Sequence, residues 1–172
     1  TATSASRTVT WVASDAGGAS TGATSTVNLT AVNDAPSLNA NGSSPTFTED
    51  GSAVTLFGSA NAIPGESGQT LTGLTLTVTN VSDTTERLGV DGSTINLTHG
   101  ASGTTTTNSM GYSVSITGGT ATVTLTNGAG ISVAAIETLV TGLTYSNTSQ
   151  APNTASTRVV TLTAIQDNGG TA

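Results

Sequence analysis

The chain has no cysteine, no lysine and very few aromatic residues: two phenylalanines, two tyrosines and one tryptophan in 172 positions. Without cysteine there is neither a disulfide framework nor a thiolate metal site, and the redox compartment is left open. Without lysine, three arginines face ten acids, giving a net charge of −7. Nothing here replaces the counterions of a phosphate backbone, so nucleic acid is not an expected partner. No apolar run approaches the roughly 20 residues of a membrane-spanning helix, so membrane insertion is not expected either. No basic-then-apolar leader opens the sequence, as befits an internal stretch of a longer chain.

Catalysis is equally short of material. His99 is the single histidine and precedes Gly100 in a loop rich in Ser, Thr and Gly. Gly18-Ala-Ser20-Thr-Gly22 has the spelling of a nucleophile elbow, but that motif needs a strand, a turn and a helix, and here two strand patterns flank it. Carboxylate pairs such as Asp83 and Glu86 could in principle run glycoside chemistry, yet so few aromatics offer little of a sugar-binding platform. The chain is not expected to be an enzyme.

What the sequence does have is period-two alternation. Leu74-Thr-Leu76-Thr-Val78-Thr and Ala121-Thr-Val123-Thr-Leu125-Thr alternate an apolar residue with threonine, the pattern of strands that bury one face and wet the other. The same alternation marks Arg7 to Ser14, Thr24 to Val32, Ala53 to Gly58, Gln69 to Asn80, Ser93 to Thr98, Tyr112 to Thr117, Thr120 to Thr126, Leu143 to Asn147 and Thr157 to Ile165. Thr117-Gly118-Gly119-Thr120 joins two of these through a two-residue turn, a hairpin signal. One segment breaks the period: Ser132 to Val140 spaces its apolar residues three and four apart, with Ser132 as N-cap and Gly142 as the stop. The predicted fold is an all-β antiparallel sandwich with one short helix.

The sequence also repeats itself. Arg7-Thr-Val-Thr-Trp-Val-Ala-Ser-Asp15-Ala-Gly-Gly18 returns as Arg158-Val-Val-Thr-Leu-Thr-Ala-Ile-Gln-Asp167-Asn-Gly-Gly170, offset by 151 positions and by 152 after one inserted residue. Such a long period describes a string of folded beads, unlike a short-period solenoid. In this register Trp11 corresponds to Leu162 and is expected in a core. Val32-Asn33-Asp34-Ala35-Pro36 marks the boundary, because Pro36 donates no backbone hydrogen bond and holds Ala35 extended. Residues 1–32 then read as the closing strands of one unit, 33–36 as the connector, and 37–172 as the next unit without its final strand. The earlier copy of that strand is expected to fill the gap, within the chain as a permuted strand or between chains as a strand-swapped self-association. Arg7, Arg87 and Arg158 are expected in surface ion pairs.

Four elements together resemble bacterial cadherin-like, Ig-like β-sandwich repeats: Val-Asn33-Asp34-Ala35-Pro36, Phe47-Thr-Glu49-Asp50-Gly51, the run from Glu66-Ser-Gly68-Gln69 through Val78, and Asp167-Asn-Gly-Gly170. Those repeats occur in giant adhesins exported by type I secretion, often with RTX sequences. The resemblance implies a structural extender at the bacterial cell surface, contacting neighbouring repeats of its own chain and stiffened by calcium. The glycine-rich nonapeptide of RTX calcium rolls is absent here, so any calcium would sit at junctions or loops. Calcium needs six to eight oxygens at about 2.3–2.6 Å. Asp34 in the connector is expected to meet Glu49 and Asp50 at the junction, with Asn33 or backbone carbonyls completing the shell. Asp15 and Asp167 would serve equivalent sites in successive units, and Glu66 joins the candidate ligands. Against this stands the plainer reading of Asp-Gly pairs such as Asp50-Gly51 and Asp91-Gly92 as solvated turns. The alternative function is an adhesion module that itself binds a carbohydrate or a protein.

Overall fold

The computed structural model describes residues 5–30 and 32–169. The strands are β1 (Ala5–Trp11), β2 (Ser14–Asp15), β3 (Gly18–Ala19), β4 (Ala23–Leu29), β5 (Ser37–Gly42), β6 (Val54–Thr55), β7 (Phe57–Ile63), β8 (Leu71–Val78), β9 (Glu86–Val90), β10 (Ser93–Asn96), β11 (Ser102–Thr104), β12 (Gly111–Thr117), β13 (Thr120–Ile131), β14 (Thr144–Asn147) and β15 (Val160–Asp167), with one helix, α1 (Val133–Thr141), between β13 and β14. All strand pairs are antiparallel. The chain forms an antiparallel β-sandwich with one short helix, as its alternation predicts.

One layer is a five-stranded sheet in the order β11-β12-β13-β8-β15, and the other runs β10-β9-β14-β6. Only Leu56 separates β6 from β7, and its N–H donates to the Leu143 carbonyl at 2.9 Å. The β5–β7 pair therefore carries the second layer onward. The apolar members of the alternating strands meet between the layers: Leu71, Leu74, Leu76 and Val78 from β8, Ala121, Val123 and Leu125 from β13, and Leu88 and Val90 from β9 are all buried. Their threonine neighbours face outward or sit partly covered. Burial of one such large side chain stabilises by about 1.5–3 kcal/mol.

Local signals place the turns. Gly118 and Gly119 have φ of 57° and 76°, and Thr117 pairs with Thr120; only a Gly-Gly pair reaches those angles without steric cost. Asp91 and Gly92 make the same kind of turn between β9 and β10, with φ of 50° and 78°. Ser132 caps α1 by accepting from the Ala135 N–H at 3.2 Å. Gly142 closes the helix through its own N–H, which reaches the Thr138 carbonyl at 2.9 Å. Its φ of −84° is right-handed, so the stop does not use the left-handed conformation usual for glycine. Ile136, Leu139 and Val140 bury the inner face of α1, which packs against β7.

Residues 5–30 stand apart from this core. Among the described residues β1 and β4 pair only with each other, over seven residue pairs from Ala5 opposite Leu29 to Trp11 opposite Ala23, and nearly every residue of both is exposed. Trp11 is 72% exposed. The expected core position is therefore corrected: among the described residues no second layer lies over β1. Its counterpart Leu162 is partly buried against the main core.

Candidate functional site

Asn33 and Asp34, in the segment expected to be a connector, are fastened to one end of the sandwich. Asn33 is 7% exposed, and its Oδ1 accepts from Gln69 Nε2 at 2.7 Å. The Asp34 N–H donates to Glu66 Oε1 at 2.6 Å, and the Glu66 N–H donates to Gln69 Oε1 at 2.9 Å. The end of β15 closes the other side. The Asn168 N–H donates to the Thr70 carbonyl at 3.0 Å, while the Thr70 N–H donates back to Asn168 Oδ1 at 3.1 Å. Gly169 sits so close to Asn33 Oδ1 and Gln69 Nε2 that a Cβ there would collide with both, and a Cβ at Gly65 would strike the Asp34 backbone. Two glycines thus let three segments meet at one spot.

Two buried carboxylate oxygens at this end, Glu66 Oε2 and Asp167 Oδ2, have no hydrogen-bond partner among the described residues. Each carboxylate uses its other oxygen locally: Glu66 Oε1 holds Asp34, and Asp167 Oδ1 accepts from the Gly169 N–H at 2.9 Å. A buried anionic oxygen without a partner is costly, and a cation at this end would relieve that cost. Among the described residues no three His, Cys, Asp or Glu side chains gather closely enough to form a metal cluster by themselves. A calcium ion held here would thus take Glu66 and Asp167 together with Asp34, carbonyls, water and groups of an adjoining unit.

The six candidate ligands divide between places. Asp34, Glu66 and Asp167 lie at the connector end. Glu49 and Asp50 do not join them. β5 starts beside the connector and runs away from it for six residues, about 17 Å at 3.3 Å per residue, before the loop that carries both acids. There Asp50 Oδ1 accepts from Gln150 Nε2 at 2.9 Å, at the far end of the sandwich. The expected meeting of Asp34 with Glu49 and Asp50 inside one unit is corrected, because β5 intervenes. Asp15 occupies the turn of the N-terminal hairpin, where its Oδ1 accepts from the Gly17 N–H at 2.8 Å. This is the bond that Asp167 makes with Gly169, so the two copies share one turn as well as one sequence. Gln69 and Asn168, which carry no charge to mark them as ligands, tie the site together; their signal in the sequence is the Glu66-x-x-Gln69 spacing and the asparagine inside Asp167-Asn-Gly-Gly.

The far end holds a second polar centre. Glu86 is fully buried, with Oε1 2.9 Å from Arg158 Nη2 and Oε2 accepting from Tyr145 Oη at 2.9 Å. The backbone N–H groups of Ser82 and Asp83 also donate to Oε1, each at 2.9 Å. Burial alone would push this carboxyl up, but the Arg158 guanidinium, the two backbone donors and the tyrosine hydroxyl together hold it below its ordinary value. Desolvation and the adjacent Glu86 charge raise the Tyr145 hydroxyl. The expected surface ion pair of Arg158 is thereby corrected to a buried one, with side chains 12% and 0% exposed. Glu86 is committed to this network and is not placed to act with Asp83 as an acid–base pair. His99 is exposed, and its Nδ1 accepts from the Ile116 N–H at 3.0 Å. The Gly18–Gly22 segment lies in β3 and the stretch before β4, with no helix after it.

No protein-family model, curated protein or solved structure matches this chain.

Proposed function

We propose that the chain is a structural extender repeat of a large secreted bacterial surface adhesin, with calcium stiffening the junctions between neighbouring repeats. The observation that carries this reading is the twin element: the sequence of residues 7–18 returns at 158–170, β1 and β15 are both strands, and Asp15 and Asp167 make the same Asp-to-Gly turn bond. A module recurring at that interval supplies length, and a tethered connector makes the length stiff where a Gly/Ser linker would coil. The resemblance to cadherin-like repeats supplies the setting, at the cell surface and outside the membrane.

Calcium enters on the open oxygens of Glu66 and Asp167 at the connector end. When bound, the ion supplies positive charge and a rigid oxygen shell. Glu66 also holds the Asp34 backbone, so fixing Glu66 fixes the direction in which the connector leaves. Glu49 and Asp50, at the opposite end, would serve the junction with a following unit. A ligand present at a hundred times its Kd stabilises the folded state by about 2.7 kcal/mol, which for a domain of this size raises Tm by roughly 5–10 °C. The expected result is that rise on adding calcium, its reversal by a chelator, and its loss in a Glu66→Gln/Asp167→Asn variant, with greater flexibility of a two-unit chain in X-ray scattering after chelation. Identical melting and scattering with and without calcium would leave an extender without a metal.

A further inference from the structure

Three Asn-Gly pairs occur in the sequence, Asn41-Gly42, Asn127-Gly128 and Asn168-Gly169. Glycine has no Cβ, so its backbone nitrogen can close on the side chain of the residue before it. We infer that Asn168 is a site of self-modification: the Gly169 nitrogen displaces the side-chain amide of Asn168, and water then leaves an aspartate or isoaspartate there. The step balances without an enzyme or an oxidant. The Gly169 nitrogen gives its proton to solvent hydroxide and bonds to Cγ of Asn168, while the Cγ–Nδ2 bond breaks and ammonia leaves with a proton taken from water. One water then opens the cyclic imide. Opening at Cγ yields aspartate, and opening at the backbone carbonyl yields isoaspartate.

The surroundings separate Asn168 from the other two. Its Oδ1 accepts from the Thr70 N–H at 3.1 Å, a fixed donor on the oxygen where negative charge gathers as Cγ is attacked. The Gly169 N–H donates to Asp167 Oδ1 at 2.9 Å, and a charged acceptor draws on that proton more strongly than a neutral one. Among the described residues nothing holds the departing Nδ2, and Asn168 is exposed to the water the reaction needs. Asn41 and Asn127 instead lie within paired strands, β5 and β13. Their Nδ2 groups are tied down, to Ser59 Oγ at 2.9 Å and to the Asn108 carbonyl at 2.9 Å. Asn127 Oδ1 also accepts a backbone N–H, from Ala129 at 3.0 Å, but among the described residues no carboxylate takes the Gly128 N–H.

The twin turn isolates what asparagine adds. Asp15-Ala16-Gly17 makes the same bond from the Gly17 N–H to Asp15 Oδ1, but Ala16 has no amide to lose. Conversion of Asn168 places a further carboxylate next to Asp167, at the end where Glu66 Oε2 and Asp167 Oδ2 have no hydrogen-bond partner among the described residues. A converted chain would offer a cation one more anionic oxygen. That consequence rests on the calcium reading; the modification itself does not, and is measured without calcium.

The arginines put each pair in its own tryptic fragment: 8–87, 88–158 and the one beginning at Val159. The folded chain is held in warm, neutral, calcium-free buffer, sampled over weeks, then unfolded, digested and read by mass spectrometry with fragmentation. The amide-to-carboxyl mass gain is expected at Asn168 about tenfold faster than at Asn41 or Asn127, less than one fixed donor is worth in an active site. Holding the chain unfolded in urea is expected to remove that lead. Asp167→Asn keeps an oxygen for the turn bond but not its charge, and is expected to slow the gain at Asn168 in the folded chain. Equal rates at the three pairs in the folded chain, the same lead in urea, or an unchanged rate in Asp167→Asn overturns the inference.

Discussion

Glu86 shows how much one residue depends on its surroundings. Within the sequence it reads as the polar member of a strand end. In the structure it is sealed between the layers and answered by Arg158, Tyr145 and two backbone N–H groups. Removing one partner of a buried pair leaves an uncompensated charge and costs about 3–5 kcal/mol, so Arg158→Met is expected to lower urea-unfolding stability by that much at neutral pH. The acid dependence follows from the lowered native pKa of Glu86, since the unfolded chain binds the proton at higher pH than the folded one. Its contribution is complete above the ordinary carboxyl value of 4.5 and is lost as pH falls through the lowered folded value. The Arg158→Met variant lacks the contribution throughout, so the stability curves of the two proteins are expected to converge in acid. Denaturant melts at pH 7 and across the acid range check both statements.

Among the elements, the legible ones are those in which propensity and burial agree. β8, β12 and β13 follow Val, Leu or Ile alternating with Thr or Ser, β14 alternates Thr144 and Ser146 with the buried Tyr145 and Asn147, and the Gly118-Gly119 turn follows from the φ angles only glycine adopts freely. The helix follows from Ser132 and the switch of period. Ser132→Ala removes the acceptor of the Ala135 N–H and is expected to cost about 1 kcal/mol, a fall of roughly 2–4 °C in Tm by calorimetry. The illegible elements are those in which chemistry hides the period. β9 opens on Glu86-Arg87, so its inward row of Glu86, Leu88 and Val90 does not read as apolar. β5 is Ser-Leu-Asn-Ala-Asn-Gly, with only Leu38 and Ala40 facing in and asparagine elsewhere, which local propensity assigns to loops. That one missed strand accounts for the misplacement of Glu49 and Asp50, since a loop there would have allowed them to fold back on Asp34.

For the whole molecule, the site was legible where the sequence repeat pointed to it and not where topology alone could. Asp167 and Asp15 were matched by alignment, and both make the same turn bond. Glu66 and Asp34 were named for their carboxylates, and the structure joins them by a hydrogen bond. The roles of Gln69 and Asn168 depend on the meeting of segments 36 and 98 residues apart, which no local pattern encodes. The fold sorts its acids by end: Asp34, Glu66 and Asp167 where the connector attaches, Glu49, Asp50 and Asp83 opposite. In the tandem array we propose, one set would face the other at every joint.

The placement of the three arginines has a practical outcome for limited digestion. With no lysine, a trypsin-type protease has only Arg7, Arg87 and Arg158 to cut after. Arg7 lies on the exposed hairpin, Arg87 sits in the interior strand β9, and Arg158 is clamped by Glu86. Trypsin is therefore expected to shave the native chain once, after Arg7, and to reach the other two bonds only when the sandwich opens. Mass spectrometry of the digest should show a single long-lived fragment starting at Thr8, whose disappearance clocks unfolding without any label.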